Sequence, residues 1–437
     1  MTKVDWKAKA EALQEDAVAL RREFHRYPEW GLGEYRTACR IVQILKSYGF
    51  SVAYGAEVMD SSALVSRPSE GQTEEWMSRA LEEGADPCIT QAMKGGLTGV
   101  VGTLRGSGEG KTVAFRFDMD CNALDECGED HRPAQEGFAS CHARSMHACG
   151  HDGHVAIGLT LARLLAENKD FFCGTVKLIF QPAEEGVRGA AAMVAAGVAD
   201  DVDVFFSGHI GIHQTENHTL TASVGDFLAV RKYESFFSGK SSHSGLAPQE
   251  GRNALLAAAH ATLALHALPR HSEGATRVNV GVFTAGGSIN AIPDRARIAF
   301  EVRGETSQIK DHLCAEAERI LRASADLQGV SVKFNILGEG ESFDADPLFA
   351  QEVVSLAEGS GIYRQVVPYR SFGASEDCTL FLRRVTERGG KGAFLLFGSV
   401  LKAIHHHPKF DFDESVLSDS AAFLAVLAQH YTKEGKE

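Results

Sequence analysis

The sequence predicts an α/β protein whose main domain is a mixed, largely parallel sheet flanked by helices, with a smaller α+β unit inserted into it. Two observations carry this prediction. Strand-like runs alternate with a helical pattern over 99–209, as they do in parallel sheets. The pattern changes near Gly225 to strands and helices in another order, and α/β character returns over 347–437.

The elements of the main domain follow from their hydrophobic spacing. Amphipathic periodicity predicts two helices at the start of the chain, and the charged stretch 68–96, which lacks strand signals, predicts a surface helical insertion. Short apolar runs predict the strands. The predicted helices are 5–23, 34–48, 154–168 and 414–431, and the predicted strands are 99–104, 112–118, 175–180, 203–209 and 392–400.

The inserted unit has a different order of elements. A strand, a helix, two strands, a helix and a strand follow one another, which is typical of an α+β unit of about the minimum domain size. Strands are predicted at 228–238, 276–284 and 294–303, and helices at 251–268 and 308–325. Because 437 residues are too many for one simple core, we expect two domains. They are a catalytic domain of 1–225 and 337–437 and an inserted domain of 226–336.

Composition and charge narrow the possible classes of protein. The chain is 44% hydrophobic and 23% charged, which is ordinary for a globular protein, and no uncharged apolar stretch is long enough to predict a membrane span. The amino terminus lacks the apolar core of a signal peptide, and nine scattered cysteines without a CxxC pair argue against a disulfide framework. We therefore expect a cytoplasmic protein. A net charge of −14 argues against nucleic acid as a partner.

The segment HARSMHACGHDGH, residues 142–154, holds four histidines and a cysteine, although the whole chain has only 18 histidines. Ligand-type residues also follow four predicted strands. They are Asp118 and Asp120, Glu184 and Glu185, His209, and the histidines 405–407. Because sites in open α/β sheets form outside the carboxyl ends of strands, these residues can meet at one edge of the sheet. Each residue taken singly is more often structural, but the combination predicts a metal site.

The donor types favour a catalytic metal site over a structural one. Cys149 and His151 lie two residues apart, so on an extended segment they point the same way, and both suit Zn²⁺. Few cysteines and several carboxylates are typical of a site that keeps a position open for water. Adjacent Glu184 and Glu185 cannot easily point into the same space, so we expect one to bind metal and the other to act as general base.

The neighbouring polar residues receive supporting roles. Asp118 and Asp152 are candidates for holding the ligand imidazoles in place. His154 is expected to start the following helix and pack against the sheet. We expect His142 and His147 to be loop or support residues.

Several motifs carry a resemblance to a known family. They are FDMD, MHACGHDGH, IFQPAEEG, GKSSHSGLAP (239–248), GGSINAIPDRARIAFEVRG (286–304) and HHPKFDFDE (406–414). On these motifs the chain resembles the M20 metallopeptidases, specifically their amidohydrolase branch, over nearly its whole length. The resemblance implies a phosphorylase/hydrolase-like di-metal catalytic domain with a ferredoxin-like lid and dimerisation domain. It also implies two divalent ions per subunit, Zn²⁺ or Mn²⁺.

The same resemblance assigns roles to individual residues. It implies that Cys149 bridges the two ions and that Glu184 is the general base. The other implied metal ligands are His151, Glu185, His209 and His406. In the inserted domain, His243 matches a histidine that stabilises the oxyanion, often across the dimer. Asn290 and Arg303 match positions that contact the substrate carboxylate.

The resemblance also implies an activity. We expect a hydrolase of linear amide bonds that cleaves an N-acyl amino acid, first of all p-aminobenzoyl-glutamate into p-aminobenzoate and glutamate. The alternatives are another N-acyl amino acid, of the hippurate, N-acetyl or auxin-conjugate type, and a non-catalytic metal-binding or regulatory subunit. The candidate base Glu184 argues against the last. We expect a homodimer or a heteromer with a related B subunit, and neither nucleic acid nor membrane as a partner.

Overall fold

The computed structural model describes residues 4–433 of the chain. The strands are β1 (Ser51–Tyr54), β2 (Val100–Arg105), β3 (Thr112–Asp118), β4 (Thr175–Gln181), β5 (Val204–Ile210), β6 (Thr219–Thr221), β7 (Val224–Gly225), β8 (Ala229–Ser238), β9 (Thr276–Ala285), β10 (Arg295–Gly304), β11 (Ser331–Gly340), β12 (Gln365–Val367), β13 (Arg370–Ser371) and β14 (Lys391–Phe397). The helices are α1 (Trp6–Glu11), α2 (Gln14–Arg26), α3 (Tyr35–Ser47), α4 (Glu70–Glu82), α5 (Pro87–Ala92), α6 (Arg132–Gln135), α7 (His151–Ala166), α8 (Gly189–Ala195), α9 (Ala254–His266), α10 (Ser307–Gln328), α11 (Pro347–Ser360), α12 (Thr379–Glu387) and α13 (Val416–Tyr431).

The largest sheet has eight strands in the order β1-β2-β4-β3-β5-β14-β6-β12. Its centre, β4-β3-β5-β14, is parallel, whereas β1/β2, β2/β4 and β14/β6 pair antiparallel. The central strands are buried almost throughout, which explains their near-continuous apolar sequences. The mixed, largely parallel sheet expected from the sequence is confirmed.

Helix α7 is buried around nearly its whole circumference. It contacts β3, β4 and β5 of the sheet as well as α2 and α13, so neither face is left to solvent. An apolar sequence such as VAIGLTLARLL suits this position, because a helix that is apolar all round belongs in a core. This packing fixes the helix whose first residue is His151.

The second compact unit is an α+β structure. Its four antiparallel strands have the order β11-β8-β10-β9, and helices α9 and α10 pack against them. In chain order the unit runs strand, helix, strand, strand, helix, strand, with the first and third strands at the centre of the sheet. This is the ferredoxin-like arrangement, in the order of elements that the sequence predicts.

The chain divides into two compact units. One takes the described residues up to Gly225, Asp344–Phe372 and those from Asp377 onward, and the other takes Asp226–Phe343 and Gly373–Glu376. The predicted boundary between 336 and 337 falls inside β11, because that strand continues to pair with β8 as far as Gly340. The ends of the predicted catalytic domain, 1–3 and 434–437, lie outside the described residues. The roles of the units as catalytic and lid domains stay a prediction.

Two helical predictions, 5–23 and 68–96, differ in outcome. The predicted helix 5–23 is two helices, α1 and α2, separated at Ala12 and Leu13. No Gly or Pro marks this break, so hydrophobic spacing gave no sign of it. The predicted helical insertion is confirmed as α4 and α5, each begun by a capping side chain, Ser69 and Asp86. Over residues 4–433, we find no helix with the length and apolar character that crossing a bilayer requires.

Candidate active site

The carboxyl ends of the parallel strands bring the predicted ligands together. Strand β3 ends at Asp118, β5 carries His209 next to its last residue, and the loop after β4 carries Glu184 and Glu185. Overlapping groups form in which the ligand atoms lie within 4.8 Å of one another. Their members are Cys149, His151, Glu184, Glu185, His209 and His406. All of these residues lie in the first unit.

Cys149 and His151 reach this cluster through a turn. Gly150 between them has a φ of 90°, and His151 begins α7. Glycine suits this left-handed conformation because it has no Cβ to clash with the backbone. The expectation of an extended segment was therefore wrong, and the helix predicted from residue 154 starts three residues earlier.

His151 offers an unpartnered nitrogen to the cluster. Its ring is fully buried, and its Nδ1–H donates to the backbone carbonyl of Asp120 at 2.9 Å. In the neutral ring Nε2 then keeps its lone pair. This nitrogen has no hydrogen-bond partner, and neither has the buried Oε1 of Glu185, 3.9 Å away. Metal–nitrogen and metal–oxygen bonds are each about 2 Å long. The two atoms thus fit a divalent ion placed between them.

Cys149 and His209 form the second part of the cluster. The Sγ of Cys149 lies 3.4 Å from Nε2 of His209, and both residues are buried. Nδ1–H of His209 donates to the backbone carbonyl of Ile210 at 2.9 Å. A carbonyl on Nδ1 fixes the tautomer that presents Nε2 as a ligand, which is the usual arrangement around protein-bound metals.

The three consecutive histidines at 405–407 differ in their contacts. Nε2 of His405 bonds the carbonyl of Ile210 at 3.0 Å, and Nδ1 of His407 accepts the N–H of Lys409 at 3.0 Å. His406 instead places a ring nitrogen beside a candidate ligand, with Nε2 3.4 Å from Oε2 of Glu185. Its φ of 62° is a left-handed conformation that separates it from its neighbours. The geometry thus distinguishes His406, as the HHPKF motif did.

Glu184 and Glu185 both approach the same imidazole. Oε2 of Glu184 and Oε1 of Glu185 each lie 3.9 Å from Nε2 of His151. The expectation that neighbouring side chains cannot share one space was wrong here, because alternation belongs to extended strands. These residues follow a turn in which Ala183 has a φ of 56°. The division of ligand and base between them stays a prediction.

His154 is occupied by other contacts. Its Nδ1 pairs with the carboxylate of Asp118, and its Nε2 accepts the backbone N–H of Ile210 at 3.0 Å. With both ring nitrogens bonded, His154 ties the first turn of α7 to the ends of β3 and β5. This agrees with the packing role that the sequence indicated.

The remaining histidines of the segment lie in different surroundings. His142 pairs with Glu83 at 2.6 Å and with the carbonyl of Pro28 at 2.9 Å, so it connects its loop to neighbouring segments. His147 is buried, and neither of its ring nitrogens has a hydrogen-bond partner. Burial lowers the pKa of His147 to about 3, so the ring is neutral.

The carboxylate that hydrogen-bonds His151 is not one of the two expected, because Oδ1 of Asp120 lies 3.3 Å from Nδ1 of the ring. Asp118 bonds a different histidine, as described above, and Asp152 faces the buried His25 at 2.8 Å. Asp120 takes the role instead, and its Oδ1 and Oδ2 also accept the backbone N–H groups of Glu184 and Glu185, at 3.0 and 3.1 Å. The sequence indicated Asp120 as a ligand-type residue after a strand, but it did not indicate this supporting role.

The comparison with known families decides the kinship of the chain. Residues 114–430 match the sequence model of peptidase family M20/M25/M40. The chain belongs to this family. Among its M20 relatives is the A subunit of p-aminobenzoyl-glutamate hydrolase from Escherichia coli (strain K12), 42% identical over 413 residues with 94% of each chain covered. Another is the indole-3-acetyl-aspartic acid hydrolase of Enterobacter agglomerans, 41% identical over 421 residues with 96% of each covered.

Solved M20 structures agree with this assignment. An aminobenzoyl-glutamate utilization protein from Klebsiella pneumoniae is 36% identical, with a TM-score of 0.83 and 98% of each chain covered. The Bacillus subtilis YXEP protein, a dinuclear metal binding peptidase of the M20 family, shares the fold at 24% identity and a TM-score of 0.67, with 97% of this chain and 99% of that one covered. As an M20 member, the chain is a hydrolase that acts on linear amide bonds.

Electrostatic interactions among the candidate ligands shift the pKa values of His151 and Glu185 in opposite directions. Burial lowers the pKa of His151, but the carboxylates of Asp118 and Asp120 outweigh burial and raise it to about 10. Burial raises the pKa of Glu185, but the hydrogen bond with His406 and the charge of His151 bring it down to about 2. Without a cation, a protonated imidazole balances the carboxylates. A divalent ion would replace that proton, which is the usual competition at a metal site.

The protonation of the Cys149 thiol depends on the same negative charges. Burial, followed by the negative charges of Glu185 and Glu184, raises its pKa well above the ordinary value. A lone thiolate is therefore unfavourable at this position. A bound cation reverses this, because a coordinating thiol loses its proton.

The candidate residues of the second unit have other surroundings. His243 is exposed, and its Nδ1 accepts the backbone N–H groups of Gly245 and Leu246 at 3.1 and 3.2 Å. The ring proton must then sit on Nε2, where it is free to be donated. This tautomer is the one that an oxyanion donor needs.

Arg303 and Asn290 already have partners in the second unit. Arg303 bonds the carboxylate of Glu301 through Nε and Nη2, at 2.9 and 3.0 Å, and the hydroxyl of Ser375 at 3.2 Å. Oδ1 of Asn290 accepts the hydroxyl of Ser288 at 2.6 Å. A substrate carboxylate at Arg303 would therefore compete with Glu301.

Proposed function

We propose that this chain hydrolyses the amide bond between an aromatic acyl group and an acidic amino acid, with p-aminobenzoyl-glutamate as its substrate. One observation carries the hydrolytic part of the proposal. Two carboxylates, Glu184 and Glu185, lie equally close to the unpartnered nitrogen of His151. One of them can hold an ion while the other takes a proton from water in the same space.

The relatives support this choice of substrate class. The names of the two relatives described above both combine an aromatic acyl group with an acidic amino acid, glutamate in one and aspartate in the other. Their similar identity to this chain makes an indole-3-acetyl-aspartate type of substrate the second candidate. We place p-aminobenzoyl-glutamate first because the similar solved structure from Klebsiella pneumoniae also has aminobenzoyl-glutamate in its name.

We infer that the cluster binds two divalent ions, Zn²⁺ or Mn²⁺. Cys149 would bridge them, because its sulfur belongs to the groups of His209 and of Glu185 at once. The other ligands in this proposal are His151, Glu185, His209 and His406. When bound, the ions supply Lewis acidity and lower the pKa of the attacking water.

Glu184 is the general base in this proposal. Its carboxylate accepts the proton of the attacking water and then delivers that proton to the nitrogen of the departing amino acid. The turn at Ala183 and the hydrogen bond that the backbone N–H of Glu184 donates to Asp120 orient Glu184 before substrate arrives. Glu185, next in the chain, serves as a metal ligand.

The second unit supplies the remaining contacts in this proposal. Nε2–H of His243 donates to the developing oxyanion. Arg303 and Asn290 bind the carboxylate of the substrate, and Arg303 exchanges its bond with Glu301 for one with the ligand. His243 would act on the neighbouring subunit of a homodimer, and a heteromer with a related B subunit is the alternative assembly. The nine free thiols are consistent with a cytoplasmic site of action.

Side-by-side turnover tests this proposal. The purified chain, loaded with Zn²⁺ or Mn²⁺, is assayed with p-aminobenzoyl-glutamate, indole-3-acetyl-aspartate, hippurate and N-acetyl-glutamate. We expect kcat/KM to be highest for p-aminobenzoyl-glutamate. A higher value for another conjugate would reassign the substrate. No turnover of any conjugate by metal-loaded protein would favour a binding or regulatory subunit.

A further inference from the structure

We propose that Glu34 is a positioning residue whose buried carboxylate fixes the turn at 183–185, so that Glu184 and Glu185 face the metal cluster. This inference rests on the proposed function, because it assigns those two glutamates to the reaction. Glu34 lies far from the turn in sequence, in the loop before α3, and none of the sequence motifs for metal or base includes it.

The contacts of Glu34 lead directly to the turn. Its Oε1 accepts the backbone N–H of Ala183 at 2.9 Å, and its Oε2 accepts the hydroxyl of Thr98 at 2.7 Å. The side chain is fully buried. The carboxylate is therefore held at both oxygens, one by the turn and one by the residue that lies two positions before β2.

Glu34 completes a row of three restrained amides. Asp120 accepts the N–H groups of Glu184 and Glu185, and Glu34 accepts that of Ala183. Two buried carboxylates thus bind three consecutive backbone N–H groups, which is the concave arrangement that suits an anion. These hydrogen bonds restrain the backbone of 183–185 and so orient the side chains of Glu184 and Glu185.

The turn needs such restraint because its conformation is unfavourable. Ala183 has a φ of 56°, which a residue with a Cβ seldom adopts without compensation. The loop that carries Glu34 also packs closely against the turn, at Gly31. A Cβ at Gly31 would lie 2.8 Å from Cα of Ala183, so only glycine permits this approach.

The environment of Glu34 also suggests a conservative replacement. Burial, followed by the nearby charge of Asp120, raises its pKa to about 8. An uncharged side chain of the same shape therefore suits this buried position. Glutamine has the same shape, its carbonyl can accept the N–H of Ala183, and its amide can donate to the hydroxyl of Thr98.

The test compares Glu34→Leu with a matched control. Glu29 is equally buried and also accepts two hydrogen bonds, but its donors are the backbone N–H groups of Arg36 and Thr37, at 3.0 and 2.8 Å, at the start of α3. Leucine at either position fills the volume and leaves two donors unpaired, so both variants should lose stability. Only Glu34→Leu should move the turn.

Two measurements separate positioning from stability. Zn²⁺ affinity is measured by competition with a chromophoric chelator, which needs no substrate, and kcat and KM are measured with the best substrate. Glu34→Leu should weaken the binding of at least one ion by about 10–100-fold, as loss of support for a ligand typically does. It should lower kcat by about tenfold or more with a smaller change in KM. Glu34→Gln should restore most of both, and Glu29→Leu should change neither.

Several outcomes would overturn the proposal. Wild-type Zn²⁺ affinity and kcat in Glu34→Leu, with the same drop in unfolding midpoint as Glu29→Leu, would leave Glu34 a structural role alone. If Glu34→Leu does not fold, Thr98→Val removes the hydroxyl that fixes Oε2, and it must lower the same two quantities more mildly. An unchanged Thr98→Val then overturns the proposal. A wild-type chain that binds two Zn²⁺ ions but turns over no conjugate would refute the proposed function, while the affinity comparison would still decide the role of Glu34.

Discussion

The candidate residues of the two units differ in how firmly the chain holds them. In the first unit, His151 and His209 are 0% and 3% exposed, and backbone carbonyls fix both rings. In the second unit, His243 and Asn290 are exposed, and their side-chain partners are close neighbours in sequence. The two buried rings of the first unit are organised without substrate, as a metal centre requires, whereas His406 of the same unit is exposed. The second set can respond to a ligand or a partner.

The two sets of candidate residues also differ in how the sequence indicates them. The metal cluster lies at the ends of parallel strands, and that rule of α/β sheets applies to any chain. The exposed residues of the second unit follow no such rule, and only the motifs GKSSHSGLAP and GGSINAIPDRARIAFEVRG indicate them. Experiments on the two units should therefore differ in kind. In the proposed function, changes in the cluster affect one subunit's own chemistry, whereas the effect of changes at His243 depends on assembly.

The largest effect is expected from Glu184→Gln in the first unit. The amide keeps the shape of the side chain but cannot take a proton from water, so activity should fall by about a hundredfold or more. Metal content should stay at the wild-type value, because Glu185 and the histidines remain. Elemental analysis together with turnover checks both parts. Loss of metal along with activity would assign Glu184 to the ligands instead of the base.

A second prediction tests the exposed residue His243. If His243 donates to the oxyanion as proposed, His243→Ala removes an interaction typically worth about 3 kcal/mol, or roughly a hundredfold in rate. If the residue acts on the neighbouring subunit, mixing this variant with Glu184→Gln creates dimers in which one site has both groups. With full exchange, an equal mixture should regain roughly a quarter of wild-type activity, since half the dimers are mixed and one of their two sites is complete.

Mass spectrometry of the intact dimers is the control for this mixing experiment. If mixed dimers form and activity stays at the sum of the two parents, His243 acts within its own chain or not at all. Changes in either unit would then affect only the subunit that carries them.

How much of the site the sequence predicts depends on the kind of contact. Side chains at strand ends were placed together correctly, because the topology of a parallel sheet brings those ends to one edge. The support from Asp120 and Glu34 was not predicted, because both bind backbone N–H groups of a distant turn. Backbone donors are present at nearly every residue, so they leave no pattern in the sequence. The left-handed Ala183 is likewise invisible, since glycine is the usual residue in that conformation.

A third prediction concerns the thiol of the buried cluster. In the metal-loaded protein, Cys149 should resist alkylation because its sulfur is coordinated. After chelation it should react, slowly at neutral pH and faster as the pH rises, because burial and the adjacent glutamates raise its pKa. Exposed Cys88 provides the internal control and should be modified in both states. Peptide mass spectrometry gives the extent at each cysteine, and equal modification of Cys149 with and without chelator would count against a metal-bound thiolate.

The smallest effect is expected from a buried histidine outside the cluster. His25 is fully buried, and its two ring nitrogens face carboxylates of Asp152 and Glu126 at 2.8 and 2.9 Å. Burial and the charge of Arg21 lower its pKa, but the hydrogen bonds to these carboxylates outweigh them, and the net pKa is raised. A raised pKa means that the folded state binds the proton more tightly than the unfolded state. This stabilisation is complete below the ordinary pKa of about 6.5 and is lost as the pH rises through the folded value.

The prediction is therefore a difference between two pH profiles. Wild-type protein and His25→Gln are unfolded in urea at several pH values from 6 upward, at one saturating Zn²⁺ concentration, so that titration of the metal cluster is common to both. The free energy of unfolding of the wild type should decline more steeply with rising pH, and Glu126→Gln should show an intermediate slope because it removes one of the two carboxylates. Parallel profiles for all three proteins would mean that His25 is neutral in the fold. The ion pairs of Arg21 with Asp152, Asp411 and Glu414 would then be the charged contacts that stabilise this buried region. His25 and the exposed His243 would differ in burial alone.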